Sequence, residues 1–345
     1  MPPTLVLARD PDPSSRMSRR SPVFHTWRES PSDAVPQIGA PAPGSRRRLR
    51  PLVLDDRVFA YLLNAPALLL IFGLVVYPVG YSLWISLHKY NLKRPGVFTF
   101  VGLGNYLEAF QSEGFWHAFG VTAVFTALSV LLVLTIGMAI ALVANESFRG
   151  RGLFRACILV PWAVPPVVNG LMWQWIFNSK VGAFNGLLYS LGLIDAYRSW
   201  LLDSTTAILV LVFAHVWNQA PFAAIVLLAG LQAIPPELYD AARVDRAGPV
   251  QRFHQITLPW LLHPLLIVMI LQTMIAFRAF DIIYVMTGGG PGDSTTVLAW
   301  LAFQASFVSL DFGRGNTYAY VIAMCTLALA LLYIKVLYAR GEIRQ

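Results

Sequence analysis

Six stretches of this chain run for 20 residues or more without an Asp, Glu, Lys or Arg: 58–87, 114–145, 156–179, 204–236, 253–277 and 315–334. A helix that crosses a bilayer needs about 20 mostly apolar residues, and every stretch reaches that length. A helix in the core of a water-soluble domain keeps a polar side, which none of these has. Apolar residues make up 56% of the 345 and charged residues 13%. Soluble domains run nearer 45–50% and about 25%, so the excess apolar surface is meant for lipid. The sequence therefore predicts an all-α integral membrane protein with six spans, at about 58–87, 118–145, 156–178, 205–231, 262–287 and 316–337, within a membrane domain 55–345.

Residues 1–54 are rich in Pro, Ser and Arg and end in a basic run, Arg46-Arg47-Arg48-Leu49-Arg50. Such a segment buries too little apolar surface to offset its ordering entropy, so a disordered basic tail is expected. No charged flank followed by an apolar core marks a cleavable leader at Met1–Leu7, and the first span is expected to direct insertion. Nineteen Lys and Arg fall in the tail, the second and fourth inter-span loops and the C-terminus, against six in the opposite loops. That bias places both termini in the cytoplasm of a multi-pass protein of the cell (inner or plasma) membrane. The uncharged segment 294–310 follows a Gly-rich breaker, and a crossing there would carry the basic C-terminus outside. It is read as an external helix lying on the bundle. Segments 101–117 and 183–202 have the mixed composition of interfacial helices. Cys157 and Cys325 fall inside predicted spans and are read as small core residues, with no disulfide or metal spacing.

The loop 232–260, between spans four and five, is long and patterned. Pro235-Pro236 suit a helix start, and Glu237 and Asp240 complement the dipole of its first turns. Ala241 and Ala242 give it a small-residue surface, Asp245 and Arg246 follow, and Gly248-Pro249 is read as its end. A second short helix, 250–256, is expected to stop at Leu258-Pro259. Two helices lying along the inner membrane face would present a knob to a cytoplasmic partner, and helix-in-groove docking is its natural use.

This loop resembles the cytoplasmic signature of the membrane-spanning permease subunits of ATP-binding-cassette importers, and within them the maltose-type carbohydrate permeases. That signature is Glu-Ala-Ala, three residues, Gly, nine residues, Ile-x-Leu-Pro. Asp240-Ala241-Ala242 and Ile256-Thr257-Leu258-Pro259 stand at the matching positions. Arg246 takes the place of the Gly, and Gly248 lies two residues on, so either the turn is displaced or Arg246 adopts a left-handed backbone at about 1–3 kcal/mol. The resemblance covers about 55–340. It includes Val101-Gly102-Leu103-Gly104-Asn105-Tyr106, the Val160-Pro161 and Pro165-Pro166 pairs ahead of Trp173, and the run from Phe280-Asp281 to Gly288-Gly289-Gly290-Pro291. It implies a six-span type I permease fold with a coupling helix between helices 4 and 5. It further implies a second homologous permease subunit, two ATPase subunits holding ATP and Mg, and an extracytoplasmic solute-binding protein. The ATPase would dock on Glu237, Asp240, Ala241, Ala242, Asp245, Arg246, Gly248, Ile256, Leu258 and Pro259. The chain contains no GxxxxGK[ST] phosphate loop, so it is read as neither an enzyme nor a nucleotide binder. No cofactor, metal or nucleic acid is expected on it.

Polar groups inside spans are costly and mark a candidate solute path. Asn169 and Trp173 in span three, Trp217 and Asn218 in span four, and Arg278 and Asp281 in span five have the chemistry for a sugar, with aromatic faces for C–H patches and amides for hydroxyls. Each has a plainer reading. The amides can serve as interhelical hydrogen bonds, the indoles as packing, and Arg278 with Asp281 as an i,i+3 pair on one helix face. His215 and Gln272 are read as packing. A neutral sugar is preferred, with glycerol-3-phosphate or a related polar solute as the alternative, because an anionic cargo calls for more intramembrane cations than Arg278. An ion-driven carrier would show buried carboxylates and internal repeats, and only Asp281 sits well inside a predicted span. A membrane-embedded enzyme would need a His/Glu or Ser/His cluster, which the spans lack.

Overall fold

A computed structural model of the chain describes residues 56–339 apart from 95 and 97. The expected tail, 1–54, lies outside the described residues. The chain divides into two units, Met1–Tyr61 and Leu62–Gln345, and the bundle belongs to the second. Helix α1 (Asp56–Ile71) runs through a π turn (Phe72–Val76) into α2 (Tyr77–Ser86). A hairpin of β1 (His88–Tyr90) and β2 (Phe98–Phe100) leads to α3 (Gly104–Gln111) and α4 (Glu113–Asn145). Then come α5 (Arg151–Ala163), α6 (Pro166–Ile176), α7 (Ala183–Ser190) and α8 (Ser204–Gln232). Helix α9 (Pro236–Val244) precedes α10 (Pro249–Arg252), which continues through a π turn (Phe253–Thr257) into α11 (Leu258–Phe277). The chain closes with α12 (Asp281–Met286), α13 (Leu298–Phe303) with its π turn (Gln304–Val308), and α14 (Phe312–Ala339).

Among the described residues, five helices are long and apolar enough to cross a membrane: Phe59–Ser86, Glu113–Asn145, Ser204–Gln232, Pro249–Phe277 and Phe312–Lys335. Helices α5 and α6 make the sixth crossing, bent by 93° at their junction. The third span is thus a broken helix that starts at Arg151, where the sequence suggested a span from about 156. Pro165 and Pro166 lack N–H groups, and the residue before a proline is driven out of the helical region. Val164 and Pro165 accordingly sit at ψ 123 and 142.

The fifth span departs from expectation in the other direction. No stop occurs at Leu258-Pro259, and α10 and α11 form one helix of 29 residues. The Leu258 N–H reaches back five residues to the Phe253 carbonyl, and this widened turn stands just ahead of Pro259, which has no N–H to offer. The first span repeats the device, with Tyr77 bonded to Phe72 just ahead of Pro78. Segment 294–310 yields an apolar helix over Leu298–Val308, 11 residues or roughly 16 Å, too short to cross. It lies on α14 and α4, where Thr122 Oγ1 on α4 accepts the Leu298 N–H at 2.9 Å.

Helix α8 is the hub. In its most apolar window 61% of residues are buried within the chain, against 0% for the first span. Helix α4 lies along it through a stripe of small residues, Thr122, Ser129, Gly137, Ala141 and Ala144, which lets the backbones approach closely. A Cβ on Gly137 would stand 2.8 Å from Ala223 Cβ and 3.3 Å from the Ala220 carbonyl oxygen. Gly137→Ala is therefore expected to cost about 1–3 kcal/mol by overpacking, read as a lowered thermal midpoint of the detergent-purified protein. Cys157, expected in the core, is exposed on the outer face of α5, and Cys325 is half-buried. The β hairpin had no sequence forecast. It is fixed by Asn105, whose Nδ2 donates to the carbonyls of Ser86 and His88 at 2.8 and 2.9 Å. Beside it Glu108 bridges Lys89 and Arg314 at 3.4 and 3.2 Å, and the Arg314 hydrogen bond chiefly holds its carboxyl below the usual carboxylate range.

Candidate functional site

Two places combine polar chemistry with unusual backbone. The first is the connection between α8 and α11. Ile234 is buried at its root, and α9 then starts with Pro236 in its first turn and Glu237 in an acidic first-turn position. No residue of α9 is buried. Its end closes on Arg246, whose φ is 57. The Arg246 N–H donates to Arg243 O at 3.0 Å and the Ala247 N–H to Ala242 O at 2.9 Å, the paired bonds of a left-handed helix cap. Of the two readings the sequence left open, the left-handed arginine is the one realised. Gly248 is extended, at φ −69 and ψ 167, and makes no turn.

Asp240 pairs with Arg243 at 2.8 Å, fully on the surface, while Ala241, Asp245, Arg246 and Gly248 are exposed and Ala242 half-buried. At the base, the Tyr239 and Thr257 hydroxyls lie 2.9 Å apart, and Tyr239 and Ile256 pack on the bundle's core. Leu258 is half-buried and Pro259 exposed. The peg is thereby tied to the root of the 29-residue helix.

The second place is a polar cleft of about 370 Å³ where the third span breaks and the fifth ends. It is lined by Pro166 and Asn169 of α6, by His215, Asn218 and Gln219 of α8, and by Ile275 and residues 278–282 at the α11–α12 junction. Asn218 Nδ2 donates to the carbonyls of Pro161 and Val164 at 2.7 and 3.1 Å, capping the broken end of α5. Its Oδ1 accepts from Gln219 Nε2 at 2.7 Å, and Gln272 stands behind, 3.5 Å from Gln219 Oε1. Asn169 Nδ2 donates to Ala214 O at 3.1 Å, but its Oδ1 has no partner, although the residue is only 2% exposed. His215 Nε2 is likewise buried and unpartnered, with the ring edge-on to Phe125.

Arg278 and Asp281 do not form the ion pair expected of them. The helix ends at Phe277, and Arg278 and Phe280 leave helical geometry (φ −100 and −129), so the i,i+3 relation never forms. Arg278 Nε instead donates to Met274 O at 3.2 Å, and both charges line the cleft. Trp173 and Trp217 are elsewhere. Their rings meet edge-on at 5.6 Å, and Trp173 joins Phe177, Phe184, Trp200 and Phe213 around an apolar cavity of about 450 Å³. The cleft thus collects four of the six path residues and adds His215, Gln219 and Phe280. The signal for His215 was available, since 215, 218 and 219 share one helix face.

A bundle of apolar helices, one broken and another ending at a polar cleft, is the architecture of a membrane permease, in which irregular backbone is tolerated where it lines a solute cavity. The family of binding-protein-dependent transport system inner membrane components matches residues 133–341, and the chain belongs to that family. It is 40% identical over 279 residues to the trehalose/maltose transport system permease protein MalF of Thermococcus litoralis, covering 80% of this chain and 92% of that one. It is 36% identical over 291 residues to the sulfoquinovosyl glycerol transport system permease protein SmoG of Agrobacterium fabrum, covering 84% and 94%. Its fold matches a chain of a bacterial ABC transporter that imports the acidic polysaccharide alginate, with a TM-score of 0.70 at 21% identity over 84% of this chain and 97% of that one.

Proposed function

We propose that this chain forms half of the translocation pathway of an ATP-driven importer, receiving a neutral sugar from an external binding protein and passing it through the α6–α8–α12 cleft. One observation carries the reading. Asn169 Oδ1 and His215 Nε2 are buried polar atoms without partners inside the cleft, beside the Phe280 ring. Unpaired buried polar atoms are expensive unless a ligand satisfies them, and an aromatic face with amides suits a polyhydroxyl ring. Arg278 and Asp281 bring one charge of each sign to the same cleft, which favours an uncharged cargo. The relatives named for trehalose, maltose and sulfoquinovosyl glycerol support a sugar or sugar glycoside. The family's name supports a binding protein, as does the likeness to an alginate transporter solved with its periplasmic protein.

The peg from Pro236 to Ala247 is the docking element for a cytoplasmic ATPase, with Glu237, Asp240, Ala241, Ala242, Asp245, Arg246 and Gly248 on its surface and Ile256, Leu258 and Pro259 at its root. The excess of Lys and Arg on that side supports its cytoplasmic placement. ATP-driven closure of the paired ATPases would draw the pegs together and turn the cleft outward. The test is uptake of labelled trehalose and maltose into proteoliposomes holding the whole complex with its binding protein. Asn169→Ala and Asp281→Asn are each expected to lower the uptake rate about tenfold, the loss of roughly one ligand hydrogen bond. Undiminished sugar uptake in both variants would remove the cleft from the path.

A further inference from the structure

We infer that Arg246 reads the identity of the ATPase: its guanidinium pairs with a carboxylate on the docked subunit. The inference rests on the docking reading above and adds the chemistry of the contact. Arg246 occupies the left-handed region, where a side chain is disfavoured and glycine is the ordinary occupant. A glycine stands two residues away, at Gly248, and the chain does not use it for the turn. Strain at an exposed loop tip serves no packing purpose, since Arg246 is exposed and buries nothing. Its side chain makes no hydrogen bond or ion pair among the described residues. The neighbouring Arg243 is by contrast bound to Asp240 at 2.8 Å, and Asp245, next in the chain, lies outside ion-pair distance of Arg246.

The surroundings fit a protein partner. Val244 is 83% exposed and Val250 71%, one on each side of Arg246 in the sequence, at the end of a peg that carries no buried residue. An exposed guanidinium with exposed apolar residues near it in the chain is the composition of an interface centre, where excluded water strengthens a charged contact and its planar fork matches a carboxylate. The same arrangement explains why the site takes the strain of a non-glycine residue at all, since Asn or Gly would make the turn more easily but bring no charge.

The test measures affinity between the permease pair in nanodiscs and its ATPase, at low and at high salt. Arg246→Gly and Arg246→Asn both keep the left-handed turn, and each is expected to weaken docking about tenfold at low salt, with the difference shrinking at high salt. Arg246→Lys should retain most of the affinity, and Arg246→Glu should weaken docking further. Equal or tighter docking of the Arg246→Gly chain at low salt would overturn the inference. So would a loss seen only with anionic lipid and absent in neutral nanodiscs, which would assign the guanidinium to headgroups. A chain with Pro236–Ala247 replaced by a glycine–serine linker separates the two readings. If it still binds the ATPase, the docking reading fails, and if it does not while Arg246→Gly binds normally, only the ion pair fails.

Discussion

Replacing Pro236–Ala247 with a glycine–serine linker of equal length is expected to abolish ATP-driven uptake while leaving insertion and the six-span bundle intact. The bundle draws little on α9, none of whose residues is buried and from which Tyr239 packs on the core. On the proposed coupling transport depends on it, because the peg would be the start of a lever. Tyr239 is bonded to Thr257, and Thr257 lies in the helix that runs unbroken from Pro249 to Phe277, roughly 43 Å, and ends beside Arg278 at the cleft. Moving a two-state protein from 1:99 to 99:1 takes about 5.5 kcal/mol of differential binding, and a floppy linker passes none of it on. Uptake should fall to the level of a complex lacking ATPase, measured alongside protease mapping of the membrane topology. Normal uptake by such a chain would end the proposed coupling.

The second large effect is expected from Asn218→Leu. Leucine fills similar space but withdraws the donor that caps Pro161 O and Val164 O and the acceptor for Gln219. Unpaired buried carbonyls cost about 1–3 kcal/mol, and little water is at hand to replace the bond at a helix break inside a membrane. The thermal midpoint should drop, and uptake should fall at least tenfold because the α5–α6 bend forms one wall of the cleft. Adding Pro165→Ala returns a backbone N–H near Pro161 O. The double variant should recover part of the midpoint but not the uptake, since a straighter third span closes the cleft. Independent, additive losses would show that Asn218 does not cap the break.

The six crossings were legible because each apolar run is a property of local composition, and lipid asks only that every side of the segment be apolar. The peg was legible for a related reason. Pro235-Pro236, Glu237 and the Asp240-Ala241-Ala242 run act within one or two helical turns of themselves. The cleft was legible in its residue types, since a polar group in a span is conspicuous, but not in its membership. Sequence placed Trp173 and Trp217 beside Asn169 and Asn218, whereas the fold turned Trp173 to an apolar cavity with Trp217 edge-on against it, and brought His215, Gln219 and Phe280 to the cleft in their place.

What the sequence by itself determined was how often the chain crosses, where the peg leaves the bundle, and that no GxxxxGK[ST] motif occurs in it. What only the tertiary structure decided was which side of each helix meets another helix. A span that is apolar all round has no periodic stripe to read, so the facing of α8 and α4 is set by small residues such as Gly137 and Ala223 closing together. Backbone at the breaks depended on tertiary contacts in the same way. Two prolines gave a 93° bend with Asn218 bridging it, another followed a π turn, and Arg246 took the left-handed turn in place of Gly248. Local propensity allowed each of those outcomes, and hydrogen bonds from residues distant in the chain, or closed across one turn, selected among them.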